Sequence, residues 1–291
     1  MTTNTKKLNQ KKWTIIDLIN WSTQYLTSKN ISNSRKETEW FLSHIFKCNR
    51  LDLYLQFDKI VNPEKLKQFK LFLIRRINNE PFQYIINKAP FYGRDFYVDK
   101  NVLIPRPETE TIIEVLKKTN QKFNNLLDIG TGSGCIGITV ILENIARNVL
   151  AIDNIKESID IAKKNTNNLN CKNIEFIVLD ILQDIPASKF DIVISNPPYI
   201  AKEKLKSLDK NVKDFEPLNA LTDNRDGLNF YKRFNKIFEC LIKPNGKMIL
   251  EIAGEQQVLD LKNIFKSTKY RLHFHKDLNN AKRVLEIQKN D

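Results

Sequence analysis

Paired cysteines and histidine clusters are missing from this sequence. Cys48, Cys135, Cys171 and Cys240 fall at no paired spacing, and the chain's three histidines are too few beside them to complete a metal site. That argues against a disulfide framework and against a zinc site as organising devices. No apolar run approaches the roughly 18 residues that a membrane span needs. The opening stretch, MTTNTKKLNQKK, is polar and has no apolar core of a signal peptide. Repeats and low-complexity tracts are absent too. These absences lead us to expect a reduced, cytoplasmic protein with no membrane partner and no metal.

What is present is enough chain for two cores. The 291 residues include 41% hydrophobic residues, an ordinary share for a globular protein. The net charge is +13, from 47 basic and 34 acidic residues. Residues 1–80 carry 15 Lys/Arg against 7 Asp/Glu, a net +8. Such a surface can steer a protein to nucleic acid, to ribosomes or to an acidic protein. Lys, Asn and Ile are common throughout the chain, so charge alone names no partner.

Up to about residue 80 the apolar spacing is helical. Thr14 and Asp17 have capping-box spacing ahead of Ile16, Leu18, Ile19, Tyr25 and Leu26, with Trp13 just before them. Asn33 or Ser34 can cap a second helix bearing Trp40, Phe41, Ile45 and Phe46. Pro63 suits the first turn of another, through Leu66, Phe69, Leu73 and Ile77. The three tryptophans, all within the first forty residues, are expected in the core of a small bundle. From about 82 to 107 the period shifts towards two. Phe91 to Val98 reads as a hairpin with Gly93 near its bend, followed by a proline-punctuated stretch, Ile104 to Glu110. The expected organisation is a helical domain over 1–80, a hairpin linker over 81–107 and a third segment over 108–291.

That third segment alternates. Strands are expected at Leu126–Ile129, Asn148–Ile152, Ile174–Leu179, Phe190–Ile194 and Lys247–Ile252. Helices are expected at Ser133–Arg147, Lys156–Leu169, Gly227–Ile242 and Glu255–Ser267, and a terminal hairpin at Tyr270–His275 and Arg283–Gln288. The pattern predicts parallel strands with crossover helices, a doubly wound α/β sheet.

The first of these strands ends in Asp128-Ile129-Gly130-Thr131-Gly132-Ser133-Gly134. Glycines there let the backbone turn tightly and let a ligand approach closely. Asp153, at the end of the next strand, is placed to accept from vicinal ribose hydroxyls, so a nucleoside cofactor is indicated. Gly132 to Gly137 spells the dinucleotide fingerprint GxGxxG, a weak signal in isolation. The register tells against it. The glycines begin at Gly130, directly behind an acidic strand end, and Asp128 near a pyrophosphate would be repulsive. It suits a ligand carrying a sulfonium and an ammonium, so S-adenosylmethionine is preferred to NAD.

The run Phe190 to Ile194 is a buried strand by composition, and it opens onto Ser195-Asn196-Pro197-Pro198-Tyr199. Asn196 offers a side-chain carbonyl oxygen, and the Pro197 and Pro198 carbonyls are acceptors beside which their own residues place no N–H. Such a corner suits an –NH2 group on a planar system, with Tyr199 stacked on its face. Adenine N6, the glutamine side-chain amide and guanine N2 all satisfy that description. A DNA adenine methyltransferase also needs an apparatus to read and flip a base, and the chain has no extra target-recognition segment.

Beyond these motifs the sequence resembles one family, the HemK-type peptide-chain release-factor glutamine methyltransferases. The likeness lies in Glu80-Pro81-Phe82-Gln83-Tyr84-Ile85, Phe91 to Phe96 and Leu103-Ile104-Pro105-Arg106-Pro107-Glu108-Thr109-Glu110. It continues in Glu216-Pro217, Ala220-Leu221, Asp226-Gly227-Leu228 and Leu250-Glu251-Ile252 with Gln256, covering about 80 to 290. The sister family acting on a ribosomal protein differs after Ile-Pro-Arg, lacking the Pro-Glu-Thr-Glu continuation. The resemblance implies a small all-α domain, a β-hairpin linker and a seven-stranded class I methyltransferase domain. It implies methyl transfer to N5 of the glutamine in the Gly-Gly-Gln tip of bacterial-type release factors. On matching positions, Asp128, Gly130, Thr131, Gly132, Ser133, Gly134 and Asp153 would hold the cofactor, with Asp180 and Ile181 flanking its adenine. Asn196, Pro197, Pro198 and Tyr199 would bind the target glutamine, with Asn196, Pro197 and Tyr199 carrying catalysis. A monomer acting on release factors, without direct nucleic-acid binding, is expected. Two departures concern local turns: Asn87 stands where the family usually has glycine, and Asp223-Asn224 replace a frequent glycine pair.

Overall fold

The computed structural model describes residues 12–266 and 268–290. The polar stretch ahead of Lys12 and the expected helix end at Ser267 lie outside the described residues. The chain divides after Ile86 into two compact units.

The first unit is helical: Ile15–Ser28, Ser34–Phe46, Arg50–Tyr54, Pro63–Ile77 and Phe82–Ile86. Thr14 and Asp17 form the capping box, Asp17 N donating to Thr14 Oγ1 and Thr14 N donating to Asp17 Oδ2. Asn62 caps the helix that Pro63 opens, accepting from Lys65 N at 2.8 Å. At the second helix the expected side-chain cap is not made. Asn33 holds the N-cap position without such a bond, and Ser34 donates its hydroxyl back to the Ile31 carbonyl. Ile15, Ile19, Leu26, Phe41, Leu42 and Phe69 meet in one apolar cluster. Trp13 and Trp40 pack against it, while Trp21 is 46% exposed and stacks on Tyr25, so only two of the tryptophans serve the core. Phe82–Ile86, read from the sequence as the start of the extended segment, is a helical turn. Phe82, Ile85 and Ile86 all reach the apolar cluster, and only a helical turn points 82, 85 and 86 one way.

The second unit opens with a hairpin, β1 (Ala89–Phe91) and β2 (Arg94–Phe96), joined at Tyr92 and Gly93, both with positive φ. A short 3-10 turn, Pro107–Thr109, leads into the helix Glu110–Lys118. Seven further strands follow: β3 (Phe123–Ile129), β4 (Ala146–Asp153), β5 (Ile174–Val178), β6 (Phe190–Ser195), β7 (Ile242–Glu251), β8 (Tyr270–Lys276) and β9 (Lys282–Lys289). They form one sheet in the order β5-β4-β3-β6-β7-β9-β8. β3 to β7 are parallel, and β9 pairs antiparallel with both β7 and β8. Alternate residues of the central strands serve opposite layers. Leu126, Ile192 and Ile194 face Ile112, Ile113 and Ile138, whereas Leu127, Ile129 and Val193 face Tyr231, Phe234 and Phe238. The chain leaves β3 towards β4 on one side and returns to β6 on the other. The carboxyl ends of β3 and β6 therefore flank a topological switch point, where such sheets bind their ligands.

Three expected helices are shorter than the periodicity suggested. Ser133–Arg147 is helical only over Cys135–Leu142, because Asn144 turns left-handed and Ala146 already begins β4. Glu255–Ser267 divides into a 3-10 turn, Glu255–Gln257, and the helix Val258–Ile264. Gly227–Ile242 begins at Asn229, after Gly227 at φ +78°, and β7 starts at once behind it, five residues ahead of the expected strand. Among the described residues, twelve non-glycine positions have positive φ and ten of them are asparagine. Asn thus does the work of glycine here. Asn87 (φ +53°) holds its turn and donates to the Val98 carbonyl, and Asn224 (φ +58°) keeps the second departing turn intact.

Candidate active site

β3 delivers Asp128 to the sheet's carboxyl edge, where its side chain is completely buried. Oδ2 accepts from Thr131 Oγ1 at 2.8 Å and from Gly137 N at 3.1 Å, while Oδ1 has no partner. Burial pushes this carboxyl up to about 6, against the lowering influence of those two donors. The loop it anchors has Gly130, Gly132 and Gly134 in left-handed conformations. A Cβ added at Gly130 or Gly132 would meet nothing within 4 Å, so those glycines supply conformation and leave bare backbone beside the cavity. Gly134 is different: a Cβ there would sit 2.9 Å from Ile138 Cδ1 and 3.1 Å from Ala162 Cβ, so helix packing requires it.

Asp153, at the end of β4, accepts from Gly132 N through Oδ2 and from Ile155 N through Oδ1, each at 3.0 Å. It therefore fixes the glycine loop as well as facing the cavity, and burial raises its pKa. Asp180 accepts from Leu182 N at 3.0 Å and Gln183 Nε2 at 2.8 Å, and beside it Ile181 is buried. Asn165 reaches into the same loop from the helix Lys156–Asn168, donating to the carbonyls of Ser133 and Tyr97.

Across the switch point, β6 ends in the Asn-Pro-Pro-Tyr corner. Asn196 Nδ2 donates to Thr109 Oγ1 at 3.2 Å. Tyr199 donates its hydroxyl to Glu251 Oε1 at 3.2 Å. Its phenol is held above the usual range by burial and by that neighbouring carboxylate. Glu251, at the end of β7, is itself buried. Burial raises it to about 7, against the hydroxyls of Thr109 and Tyr199 and the Arg283 charge. Behind the corner, Glu216 accepts from Ile104 N and pairs with Arg106 at 2.5 Å, clamping the Ile-Pro-Arg segment to the cavity wall.

One cavity takes in Gly130, Thr131, Gly132 and Ser133, then Asp153, Asp180 and Ile181, then Asn196 and Pro198. Four of the expected site residues do not line it. Asp128 and Gly134 lie behind the glycine loop as its support; Pro197 is buried within the corner, and Tyr199 packs against the core with its hydroxyl on Glu251. Asp128 faces Thr131 and Gly137 because the loop closes over its oxygens, so its charge lies one layer beneath the cavity that the glycine loop lines. Thr109, Arg106 and Phe230 also line the cavity without having been singled out for it. Gln257 was missed altogether. It is buried, accepts from Ala253 N and donates to the carbonyls of Tyr199 and Gly227, whereas the neighbouring Gln256 is exposed.

A doubly wound seven-stranded sheet with a glycine loop after β3 and an acceptor-rich corner after β6, both on one cavity, defines a class I methyltransferase. Residues 17–86 match the PrmC N-terminal domain and residues 107–213 the methyltransferase small domain. The release factor glutamine methyltransferase of Bacillus subtilis is 35% identical over 281 residues, covering 94% of this chain and 96% of that protein. That of Geobacter sulfurreducens is 34% identical over 241 residues, covering 83% and 84%. A methyltransferase structure from Pyrococcus furiosus shares the fold, with a TM-score of 0.51 at 17% identity over 74% of this chain and 95% of that one. The chain belongs to the release factor glutamine methyltransferase family.

Proposed function

We propose that this protein transfers a methyl group from S-adenosylmethionine to the side-chain amide nitrogen of the Gly-Gly-Gln glutamine in peptide-chain release factors. The observation that carries this reading is the shared cavity: a bare-backbone glycine loop and an amide-accepting corner line one space at the switch point. The residues fit the cofactor. Left-handed Gly130 and Gly132 leave room for it, Asp153 has acceptor capacity for ribose hydroxyls, and the buried Asp128 sits beneath with an unpartnered oxygen. When bound, that cofactor supplies an electrophilic methyl group on a sulfonium.

The chain's own residues hold the acceptor. Asn196 Oδ1 and the proline carbonyls of the corner accept the two amide hydrogens, so the nitrogen lone pair faces the donor side of the cavity. An amide nitrogen is a poor nucleophile, and alignment offsets that: fixing two reactants in line is worth about 7–11 kcal/mol at best. Acceptors that strengthen as positive charge grows on nitrogen lower the barrier further. No side chain is required as a general base, since a charged N-methylated amide releases its proton readily to water. The helical unit, with its excess of basic residues, serves to capture the release factor. Among the described residues no helix is long and apolar enough to cross a membrane. We take the protein to act in the cytoplasm as a monomer, on protein and not on nucleic acid. Incubation with methyl-labelled donor, a purified release factor and an oligonucleotide tests the reading: label is expected in the release factor, and label in the oligonucleotide alone overturns it.

A further inference from the structure

Resting on the reading of the cavity as the donor site, we propose that Asn165 is a positioning residue for S-adenosylmethionine. From behind the cavity it holds the glycine loop and residues 97–103 at the separation the donor needs. Asn165 is not among the residues that line the cavity, so it acts through those that do.

Nothing local favours asparagine at this place. It lies in the last turn of the helix Lys156–Asn168, where its helix propensity is low. Its side chain is fully buried, and a buried amide costs free energy unless its polar ends are paired. Here each of them is. Tyr97 N donates to Oδ1 at 2.6 Å, and Nδ2 donates to the carbonyls of Tyr97 and Ser133, each at 2.9 Å. These partners permit one orientation only, because the Tyr97 N–H needs Oδ1 and the two carbonyls need the two hydrogens of Nδ2. A single side chain thus satisfies both backbone groups of Tyr97, just beyond β2, and a carbonyl inside the glycine loop.

Two residues on the same helix face support it: Ser158 and Ala162, seven and three positions earlier. Ser158 donates to the Asn101 carbonyl at 3.2 Å, a second hold on residues 97–103. Ala162 packs against Gly134, where an added Cβ would come within 3.1 Å of its own. Asn101, Val102 and Leu103 line the cavity, as do Gly130 to Ser133. One helix face therefore carries both walls, and Asn165 is the member that bonds to both. Without it, the carbonyls of Tyr97 and Ser133 would turn to other donors, and only a fraction of molecules would keep the walls at the donor's width. Apparent affinity falls by that fraction. Once the donor is bound the walls are in place, and the acceptor corner on β6 is untouched. The defect is one of donor binding and not of methyl transfer.

The test uses the full-length protein and calorimetric titration with S-adenosylhomocysteine, which reads donor affinity without a release factor. Asn165→Leu keeps the approximate size of the side chain and removes all three bonds. Kd should rise roughly 10- to 100-fold, as a binding-competent fraction of about 1–10% implies. KM for S-adenosylmethionine should rise in step, while kcat at saturating donor and KM for the release factor stay within about three-fold. Asn165→Asp keeps the acceptor for Tyr97 N and loses the Nδ2 donors, so its Kd should rise as well. Ile159→Ala is the control for stability alone. Ile159 is buried on the same helix and has no polar side-chain group, so this variant should lose thermal stability yet bind within about two-fold of wild type. Unchanged Kd in Asn165→Leu overturns the proposal, as does a Kd for Ile159→Ala raised just as far, or a kcat that falls as much as Kd rises. If Asn165→Leu fails to fold, Asn165→Asp decides by the same criteria. A wild-type protein that binds no S-adenosylhomocysteine overturns the donor-site reading and this proposal with it. One that binds it but labels no release factor overturns the acceptor assignment alone.

Discussion

The hydroxyl of Ser195 donates to the carbonyl oxygen of Ile129 at 2.8 Å, a buried bond between the last residues of β6 and β3. It ties the strand that opens the glycine loop to the strand that opens the acceptor corner, 66 residues apart in sequence. Ser195→Ala should lower stability by about 1–2 kcal/mol, since it leaves a buried carbonyl short of one donor. Urea unfolding checks this, and the midpoint should shift with the slope unchanged.

Asp153→Ala should weaken binding of S-adenosylhomocysteine by about 1.5–3 kcal/mol, the range for hydrogen bonds to a charged group. The geometry gives two reasons. The carboxylate is placed for ribose hydroxyls, and it also accepts from Gly132 N, so its loss loosens the loop that carries the cofactor. Calorimetric titration measures this directly, and unchanged affinity would refute the assignment.

Gly227 has φ +78°, and a Cβ there would overlap the Tyr199 carbonyl and approach Ala201 N at 3.2 Å. Gly227→Ala should therefore cost at least about 2 kcal/mol and push the corner out of place. Steady-state kinetics should show kcat falling while donor affinity, set on the other side of the cavity, changes little.

Glu286 is held down to about 2, chiefly by its hydrogen bond with His275 at 2.8 Å and also by Lys247. The ordinary glutamate value is 4.5, so the unfolded chain takes up this proton at a higher pH than the folded one. The stabilisation is complete above pH 4.5 and is lost as the pH falls from there to about 2. Glu286→Gln should cost about 1.5–3 kcal/mol at pH 7, and the gap to wild type should close over that acid window. Equilibrium unfolding at several pH values tests both the size and the direction.

Much of this architecture could be read from the chain. The five parallel strands and the terminal hairpin declare themselves through apolar runs bounded by turn residues, and Asp128, Gly130 and Asp153 stand where a doubly wound sheet needs its ligand groups. Helix ends were less legible, because asparagine takes the left-handed positions that glycine usually marks. Read that way, Asn144 would have stopped the helix at Leu142. Long-range polar partners were not legible at all. Nothing local announces that Thr109 meets Asn196, that Ser195 meets Ile129, or that Gln257 rather than Gln256 lies beneath Tyr199. Those pairings come from sheet order, which brings β7 and the 3-10 turn at Pro107–Thr109 to the same edge as β6.

The most direct measurement is mass spectrometry of the release-factor peptide that carries Gly-Gly-Gln, after incubation with this enzyme and S-adenosylmethionine. The account predicts one added methyl group on that glutamine and none on a release factor with glutamate in its place. The reason is that a carboxylate offers no N–H to Asn196 and the proline carbonyls of the corner, and repels their oxygens. An unmodified release factor, with methylated adenine appearing in DNA supplied alongside, would contradict it.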